Sequence, residues 1–119
     1  MDTFVRGDSF PFKTQITKKD GTPITLNEIE SLFVTCRKMA IKESPILFQK
    51  KLEDVTIDSD GYCHILFNPE DTRDLEYGEY CYDIEITLKG GYTKTKFNKF
   101  TLTEETTIHN GENNGIWYW

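Results

Sequence analysis

The stretch that most constrains the fold runs from Tyr77 to Leu88, where large apolar side chains recur at every second position. The recurring residues are Tyr80, Tyr82, Ile84, Ile86 and Leu88. Successive side chains of a β-strand point to opposite faces, so this alternation predicts one long strand with a buried face and a wetter face. We expect this strand to be central in its sheet.

A short helix is predicted directly before this strand, at Asn68–Thr72. Asn is favoured at the N-cap, Pro at the first helical position, and acidic residues in the first turn. We expect this turn to carry the chain from one sheet to another and to end near Leu75. A tyrosine hydroxyl near Tyr80 should then bond back to the crossing loop, as in the tyrosine corner of immunoglobulin-type sandwiches.

Short alternating runs separated by turn signals fill the rest of the chain. Strands are predicted at about Ser9–Thr17, Leu32–Cys36, Ile46–Lys50, Val55–Ile57, Tyr62–Phe67, and from the Gly90-Gly91 turn to Leu102. Such a series, with turns roughly every 8–12 residues and little helix, indicates a β-sandwich. The prediction is an all-β, immunoglobulin-like β-sandwich of about seven to eight strands with one short helical turn.

The turns also predict how neighbouring strands pair. A three-residue loop ending at Gly61, in the left-handed conformation, would place Ile57 opposite Cys63. Gly90-Gly91 predicts a two-residue hairpin turn. That turn would place Ile84 opposite Phe97 on the inner face. It would also place Glu85 opposite Lys96 on the outer face, and this matching of opposite charges supports the predicted register.

Composition limits the classes of partner. The 119 residues correspond to one domain, and the net charge of −6 argues against nucleic acid or anionic membranes as main partners. No apolar run approaches the roughly 18–20 residues of a membrane span, and the first residues do not resemble a signal peptide. The three cysteines, Cys36, Cys63 and Cys81, lack close spacing, so we interpret them as free thiols of a protein made in a reducing cytoplasm.

No constellation of residues indicates catalysis. His64 neighbours Cys63 on a predicted strand, where adjacent side chains face opposite sides. The serines lie in no nucleophile motif, and Gly90-Gly91 fits a hairpin tip better than a phosphate loop. Asp54, Asp58 and Asp60 with Gly61 faintly resemble a calcium loop, but the twelfth position, where such a loop has a bidentate acid, is Ile65. We therefore expect no enzyme, no metal, no cofactor and no small-molecule substrate.

The end of the chain differs from the rest. Residues 1–107 are predicted to form the sandwich domain, and residues 108–119 a flexible linker with an aromatic C-terminal segment. Ile116, Trp117, Tyr118 and Trp119 are the predicted partner-binding residues. Exposing such side chains to water is costly. They could fold back over an open sheet edge or the core rim, or dock on another subunit by strand addition or as aromatic anchors.

Four stretches, in this order and spacing, carry a resemblance to a known group of proteins. They are Arg6–Phe12, Asp20–Leu26, Pro69–Thr72 and Leu75–Ile84. Together they resemble immunoglobulin-like structural domains of phage tails, above all the N-terminal domain of siphophage upper baseplate proteins. The resemblance covers about residues 4–106. It implies a β-sandwich that assembles into a virion without catalysis, metal or cofactor.

The predicted function is that of a non-enzymatic structural component of a phage or prophage tail or baseplate, acting by protein–protein assembly. Its expected partners are other virion proteins or further copies of itself, as a homo-oligomer. Its expected location is the virion, after synthesis in the bacterial host cytoplasm. One alternative is a carbohydrate- or host-surface-binding module using Tyr62, Tyr77 and Tyr92, and another is an inhibitor of a host protein.

Overall fold

The computed structural model describes residues 2–104 of the chain. The strands are β1 Asp2–Val5, β2 Phe10–Gln15, β3 Ile29–Arg37, β4 Ile46–Lys51, β5 Thr56–Ile57, β6 Tyr62–Phe67, β7 Gly78–Leu88 and β8 Thr93–Thr103. One helical turn, α1, spans Pro69–Thr72, and 3-10 turns span Leu26–Glu28 and Leu52–Asp54. Within the described range, no helix has the length and apolar composition needed to cross a membrane.

The strands form two sheets that pack around one core. The larger sheet has the order β1-β8-β7-β3-β4, and the smaller has the order β2-β6-β5. This strand order and the antiparallel pairings, apart from the parallel β1–β8 pair, follow the immunoglobulin arrangement. The prediction of an all-β, immunoglobulin-like β-sandwich is confirmed.

Strand β7 is central, as its alternation predicts. It pairs with β8 on one side and with β3 on the other. Tyr80, Tyr82, Ile84 and Ile86 are buried on its inner face. The strand of strongest periodicity therefore lies in the middle of the larger sheet, with the core beneath it.

The crossing between the sheets also follows the prediction. Helix α1 connects β6 of the smaller sheet to β7 of the larger one. Its first turn is closed by the Asn68 N–H, which donates to Asp71 Oδ2 at 2.7 Å. Lys50 Nζ on β4 lies 2.6 Å from the same oxygen. The Tyr80 hydroxyl donates to the Glu76 carbonyl at 2.6 Å, so the predicted tyrosine corner is present.

Phe67 on β6 lies at the centre of the core and is fully buried. Five aromatic rings surround it at centroid distances between 4.9 and 6.4 Å, from Phe4, Phe12, Phe48, Tyr82 and Phe100. These rings come from β1, β2, β4, β7 and β8, so one side chain joins both sheets.

Strand β1 was not predicted. It pairs in parallel with the end of β8, Asp2 opposite Phe100 and Val5 opposite Thr103. Four residues contain too little alternation to signal a strand, and the pairing partner lies at the other end of the sequence. The ring of Phe4 stacks on that of Phe10 with 4.1 Å between the ring centroids, and this contact holds β1 against the core.

The predicted register is confirmed for the β5–β6 hairpin and is wrong for the β7–β8 hairpin. Ile57 pairs with Cys63 and Gly61 has φ of 81°, as predicted. The β7–β8 register was predicted wrongly, since Ile84 lies opposite Lys96. The Leu88 N–H donates to the Tyr92 carbonyl at 2.7 Å, so the loop holds three residues, 89–91, instead of two.

A shift of one residue moves every side chain of β8 to the other face. Phe97, predicted inside, is therefore on the outer face and is 62% exposed. Lys94 and Lys96 lie on the inner face, opposite Ile86 and Ile84. The matching of opposite charges used to predict the register, such as Glu85 with Lys96, does not occur.

The three cysteines are free, as predicted, and all are buried. Cys81 lies outside the core cluster, with its Sγ 3.4 Å from the Arg37 carbonyl oxygen. Burial raises the pKa of Cys36 to about 12 and that of Cys63 to about 11. Both thiols are therefore protonated at neutral pH and poor nucleophiles.

Candidate interaction site

The first half of β8 lacks a strand partner on its outer side in the described structure. β1 covers only the last four residues of β8, Phe100–Thr103. There the Arg6 N–H also donates to the Thr103 carbonyl at 3.1 Å. Residues Thr93–Lys99 are all exposed and have β7 on one side only. We call Thr93–Lys99 the free edge.

The free edge presents backbone hydrogen-bonding groups to a partner. Hydrogen-bonded pairs recur at every second residue of an antiparallel ladder, and Leu88 and Tyr92 form such a pair. The even-numbered residues of the free edge therefore bond to β7. The odd-numbered ones, including Thr95, Phe97 and Lys99, direct their N–H and C=O groups outward. Such a row of groups is the template that strand addition uses.

Two of the other sheet edges, those of β2 and β4, carry features that discourage pairing. β2 contains Pro11, whose nitrogen has no hydrogen to donate. β4 pairs with β3 across an irregularity between Cys36 and Arg37, and such bulges twist an edge away from regular pairing. The free edge of β8 has neither a proline nor a register shift.

A cleft of about 740 Å³ borders the free edge on its inner side, between β2 and the β7–β8 hairpin. Its aliphatic surface comes from Ile16, Ile24, Ile84, Ile86 and Leu88. Across the opening, Lys96 Nζ donates to Thr14 Oγ1 of the other sheet at 3.2 Å. The cleft therefore gives access to apolar surface between the two sheets.

The rim of the cleft is cationic although the chain as a whole is acidic. Its described lining includes four lysines, Lys18, Lys19, Lys94 and Lys96, and no acidic residue. Lys18 is paired with Glu28 at 2.7 Å, and this hydrogen bond raises the pKa of the lysine. Among the described residues, Lys94 and Lys96 have no ion pair. The cleft thus favours a partner that is neutral or negatively charged.

One aromatic side chain also lines the cleft. Tyr92 follows the hairpin loop and is 47% exposed. Lys19 Nζ lies 5.3 Å from the centre of its ring, within the range of a cation–π contact. The three tyrosines named for carbohydrate binding do not form one platform. Tyr77 and Tyr92 flank opposite ends of β7, which are separated by about 33 Å at 3.3 Å per residue.

The histidine and cysteine side chains of β6 do not form a catalytic pair. His64 Nε2 lies 2.8 Å from Asp58 Oδ2 on the surface of the smaller sheet, where the hydrogen bond lowers the pKa of the aspartate. Cys63 beside it is buried on the opposite face. No group of three or more His, Cys, Asp or Glu residues that could hold a metal occurs within residues 2–104.

The contact residues predicted from the sequence lie outside the described residues; they are Ile116, Trp117, Tyr118 and Trp119. The predicted domain boundary after residue 107 also lies outside them. Both remain predictions. Sequence reasoning missed the residues of the free edge, because neither the strand order nor the short parallel pairing of β1 with the end of β8 was predicted. The run Thr93–Lys99, with three lysines, was the available signal, since lysines are common on exposed edge strands.

No protein-family model matches the sequence, and no curated protein matches it. Among solved structures, the chain is similar to CopC from Methylosinus trichosporium OB3b, with a TM-score of 0.51, 9% identity, and coverage of 91% of this chain and 88% of that chain. It also matches a "putative glycoside hydrolase" from Bacteroides vulgatus ATCC 8482 with a TM-score of 0.47 and 19% identity, over 88% of this chain and 17% of that chain. The likeness to CopC supports the fold and carries no information on function.

Proposed function

We propose that this domain is a non-enzymatic structural component of a phage or prophage virion, in the tail or baseplate, that acts by protein–protein assembly. The observation that carries the assembly role is the free edge of β8, with outward backbone groups beside an apolar cleft. The virion role depends on the ordered sequence motifs that resemble phage tail domains. The immunoglobulin-like topology is compatible with that resemblance.

The partner of the free edge is an extended strand of another virion protein, neutral or acidic in charge. Two copies of the free edge would bring two sets of lysines, Lys94, Lys96 and Lys99, against each other. Like charges facing each other across a strand pair are unfavourable, so the lysines act against symmetric self-pairing. A homo-oligomer, also expected from the sequence, would have to use a different arrangement. In this proposal the chain is made in the host cytoplasm and ends in the virion.

A pair of substitutions at Thr95 separates edge pairing from folding. The Thr95 N–H points outward, so Thr95→Pro removes a donor from the free edge without removing a bond to β7. Thr95→Val keeps the donor and the β-branched shape and serves as the matched control. Both variants should fold, and their melting temperatures check this.

The experiment is mass spectrometry of purified particles from a lysogen that encodes the chain. The wild-type chain and Thr95→Val should be present in particles, and Thr95→Pro should be strongly depleted although soluble in the cell. Absence of the wild-type chain from particles would contradict the virion role. Equal incorporation of the folded proline variant would contradict the use of the free edge.

A further inference from the structure

The cleft between β2 and the β7–β8 hairpin combines an aliphatic floor with a cationic mouth. We propose that it binds a small amphiphilic anion, a carboxylate on an unbranched alkyl chain, as a ligand that is held and not transformed. The alkyl chain lies on the floor, and the carboxylate lies among the lysines at the mouth. This inference concerns side chains inside the cleft, whereas the proposed assembly role depends on backbone groups of the free edge.

The floor of the cleft runs from the hydrophobic core to partly exposed aliphatic groups. Ile24 and Ile84 are only 1% and 2% exposed and belong to the core. Ile16 and Leu88 line the same cleft and are partly exposed. An apolar ligand that covers them removes apolar surface from water, which is favourable. The volume of about 740 Å³ lies within the range of roughly 300–1,000 Å³ that is typical of small-molecule sites.

Three lysines at the mouth have no carboxylate partner in the part of the chain that the structure describes. Lys96 Nζ donates to the neutral hydroxyl of Thr14 at 3.2 Å. Lys19 Nζ lies 5.3 Å from the centre of the Tyr92 ring, which is also neutral. Lys94, two residues before Lys96 on the same face of β8, is the third. A carboxylate would supply the missing negative charge and accept charge-assisted hydrogen bonds.

The mouth is crossed from both sides, and this favours a slender ligand. Lys96 reaches from β8 to Thr14 on β2, and Lys19 reaches from the loop after β2 to Tyr92. A peptide strand, with side chains on both of its faces, would have to displace both lysines. The net charge of −6 disfavours an anionic bilayer, so the ligand is a free molecule in solution.

Titration of the full-length protein with dodecanoate, below the concentration at which it forms micelles, tests the inference. Calorimetry should show saturable binding of one molecule per protein chain. Decanoate and octanoate should bind more weakly, by about three- to fourfold for each methylene group removed. Dodecyltrimethylammonium has an alkyl chain of the same length and the opposite charge, and it should bind more weakly than dodecanoate by about tenfold or more.

Methyl NMR of isoleucine-labelled protein locates the bound ligand. The methyl signals of the isoleucines that line the cleft should shift during the titration; these are Ile16, Ile24, Ile84 and Ile86. Ile41 and Ile46 are 48% and 52% exposed and lie outside the cleft, so they report on non-specific contact with apolar surface. Their signals should change little.

A matched pair of substitutions on β8 tests the role of the charge. Lys96→Gln removes a cation from the cleft, whereas Lys99→Gln removes the same charge from the opposite face of the strand. Lys96→Gln should weaken the binding of dodecanoate about tenfold, and Lys99→Gln less than about twofold. Both side chains are exposed, so both variants should fold, and their melting temperatures check this. The comparison of dodecanoate with dodecyltrimethylammonium needs no variant.

Four results would overturn the inference. They are a lack of saturable dodecanoate binding, equal affinity for the two charge types, equal losses from the two lysine variants, and shifts at Ile41 and Ile46 as large as those in the cleft. A peptide of alternating glutamate and valine that shifts the cleft methyl signals when dodecanoate does not would assign the cleft to a partner strand instead. These measurements use purified protein without phage particles, so the inference and the proposed virion role can fail separately.

Discussion

The ion pair between Lys50 and Asp71 provides the sharpest test of how the two sheets are held together. Lys50 Nζ lies 2.6 Å from Asp71 Oδ2, and the two side chains are only 11% and 14% exposed. The pair joins β4 to the crossing helix α1. Lys50→Met removes the cation, keeps most of the side-chain volume and leaves the carboxylate in place.

The size of the effect follows from what remains around the carboxylate. Removing one partner of a buried ion pair typically costs about 3–5 kcal/mol, because the other charge is left uncompensated. Here Asp71 retains the Asn68 N–H at 2.7 Å and some contact with water. We therefore expect Lys50→Met to lower the free energy of unfolding by about 2–3 kcal/mol at neutral pH.

A double-mutant cycle measures the coupling between Lys50 and Asp71. The four proteins are unfolded with urea, which is uncharged and does not screen the ion pair. Asp71→Asn removes the charge and keeps an acceptor for the Asn68 N–H. Once the carboxylate is neutral, Lys50→Met should cost less by about 1–2 kcal/mol than it does in the wild type. Lys18→Met, at the exposed pair with Glu28, is the control and should have a much smaller effect. Equal losses from Lys50→Met and Lys18→Met, or additive losses in the cycle, would refute the reasoning.

Three further predictions concern the tyrosine corner, a turn and the thiols. Tyr80→Phe removes a hydrogen bond of 2.6 Å to the loop before β7 and should cost about 1 kcal/mol in urea denaturation; an unchanged midpoint would contradict this role. Gly61→Ala should cost more than about 2 kcal/mol, since φ is 81° and the new Cβ would lie 2.8 Å from a carbonyl oxygen. Gly21→Ala, with a similar φ and open space, should cost less, and equal losses would exclude the steric argument. Because the pKa values of Cys36 and Cys63 are raised from 9.0 to about 12 and 11, the folded state keeps protons that the unfolded state loses. Stability should therefore be complete below pH 9 and fall as the pH rises toward 12, and a flat urea midpoint over that range would contradict the shifts.

Local signals in the sequence are sufficient for much of this fold. The alternation of β7, the capping residues of α1 and Gly61 each encode their structure within a few neighbouring residues. The tyrosine corner follows because Tyr80 lies near the start of a central strand that is entered from a crossing turn. These elements were predicted because each depends on residues close together in the chain.

Features that depend on distant contacts were not predicted. β1 is a strand because Phe4 stacks on Phe10 and on Phe100, which lies almost a hundred residues away. The β7–β8 register depends on a single residue of loop length, and two adjacent glycines permit loops of either length. The matching of opposite charges supported the wrong register. It does not decide the real one, because exposed ion pairs contribute little free energy. The outward position of Phe97 depends on the β7–β8 register, and the length of the free edge depends on the parallel pairing of β1 with the end of β8.

The central claim is that the free edge of β8 is where this domain pairs with a partner strand. Hydrogen exchange of the segment 93–99 tests it, in purified particles and in the isolated protein. The outward amides of Thr95, Phe97 and Lys99 should exchange at least tenfold more slowly in particles, while the amides already bonded to β7 change little. If the segment exchanges at the same rate in particles and in the isolated protein, the free edge is not the site of assembly.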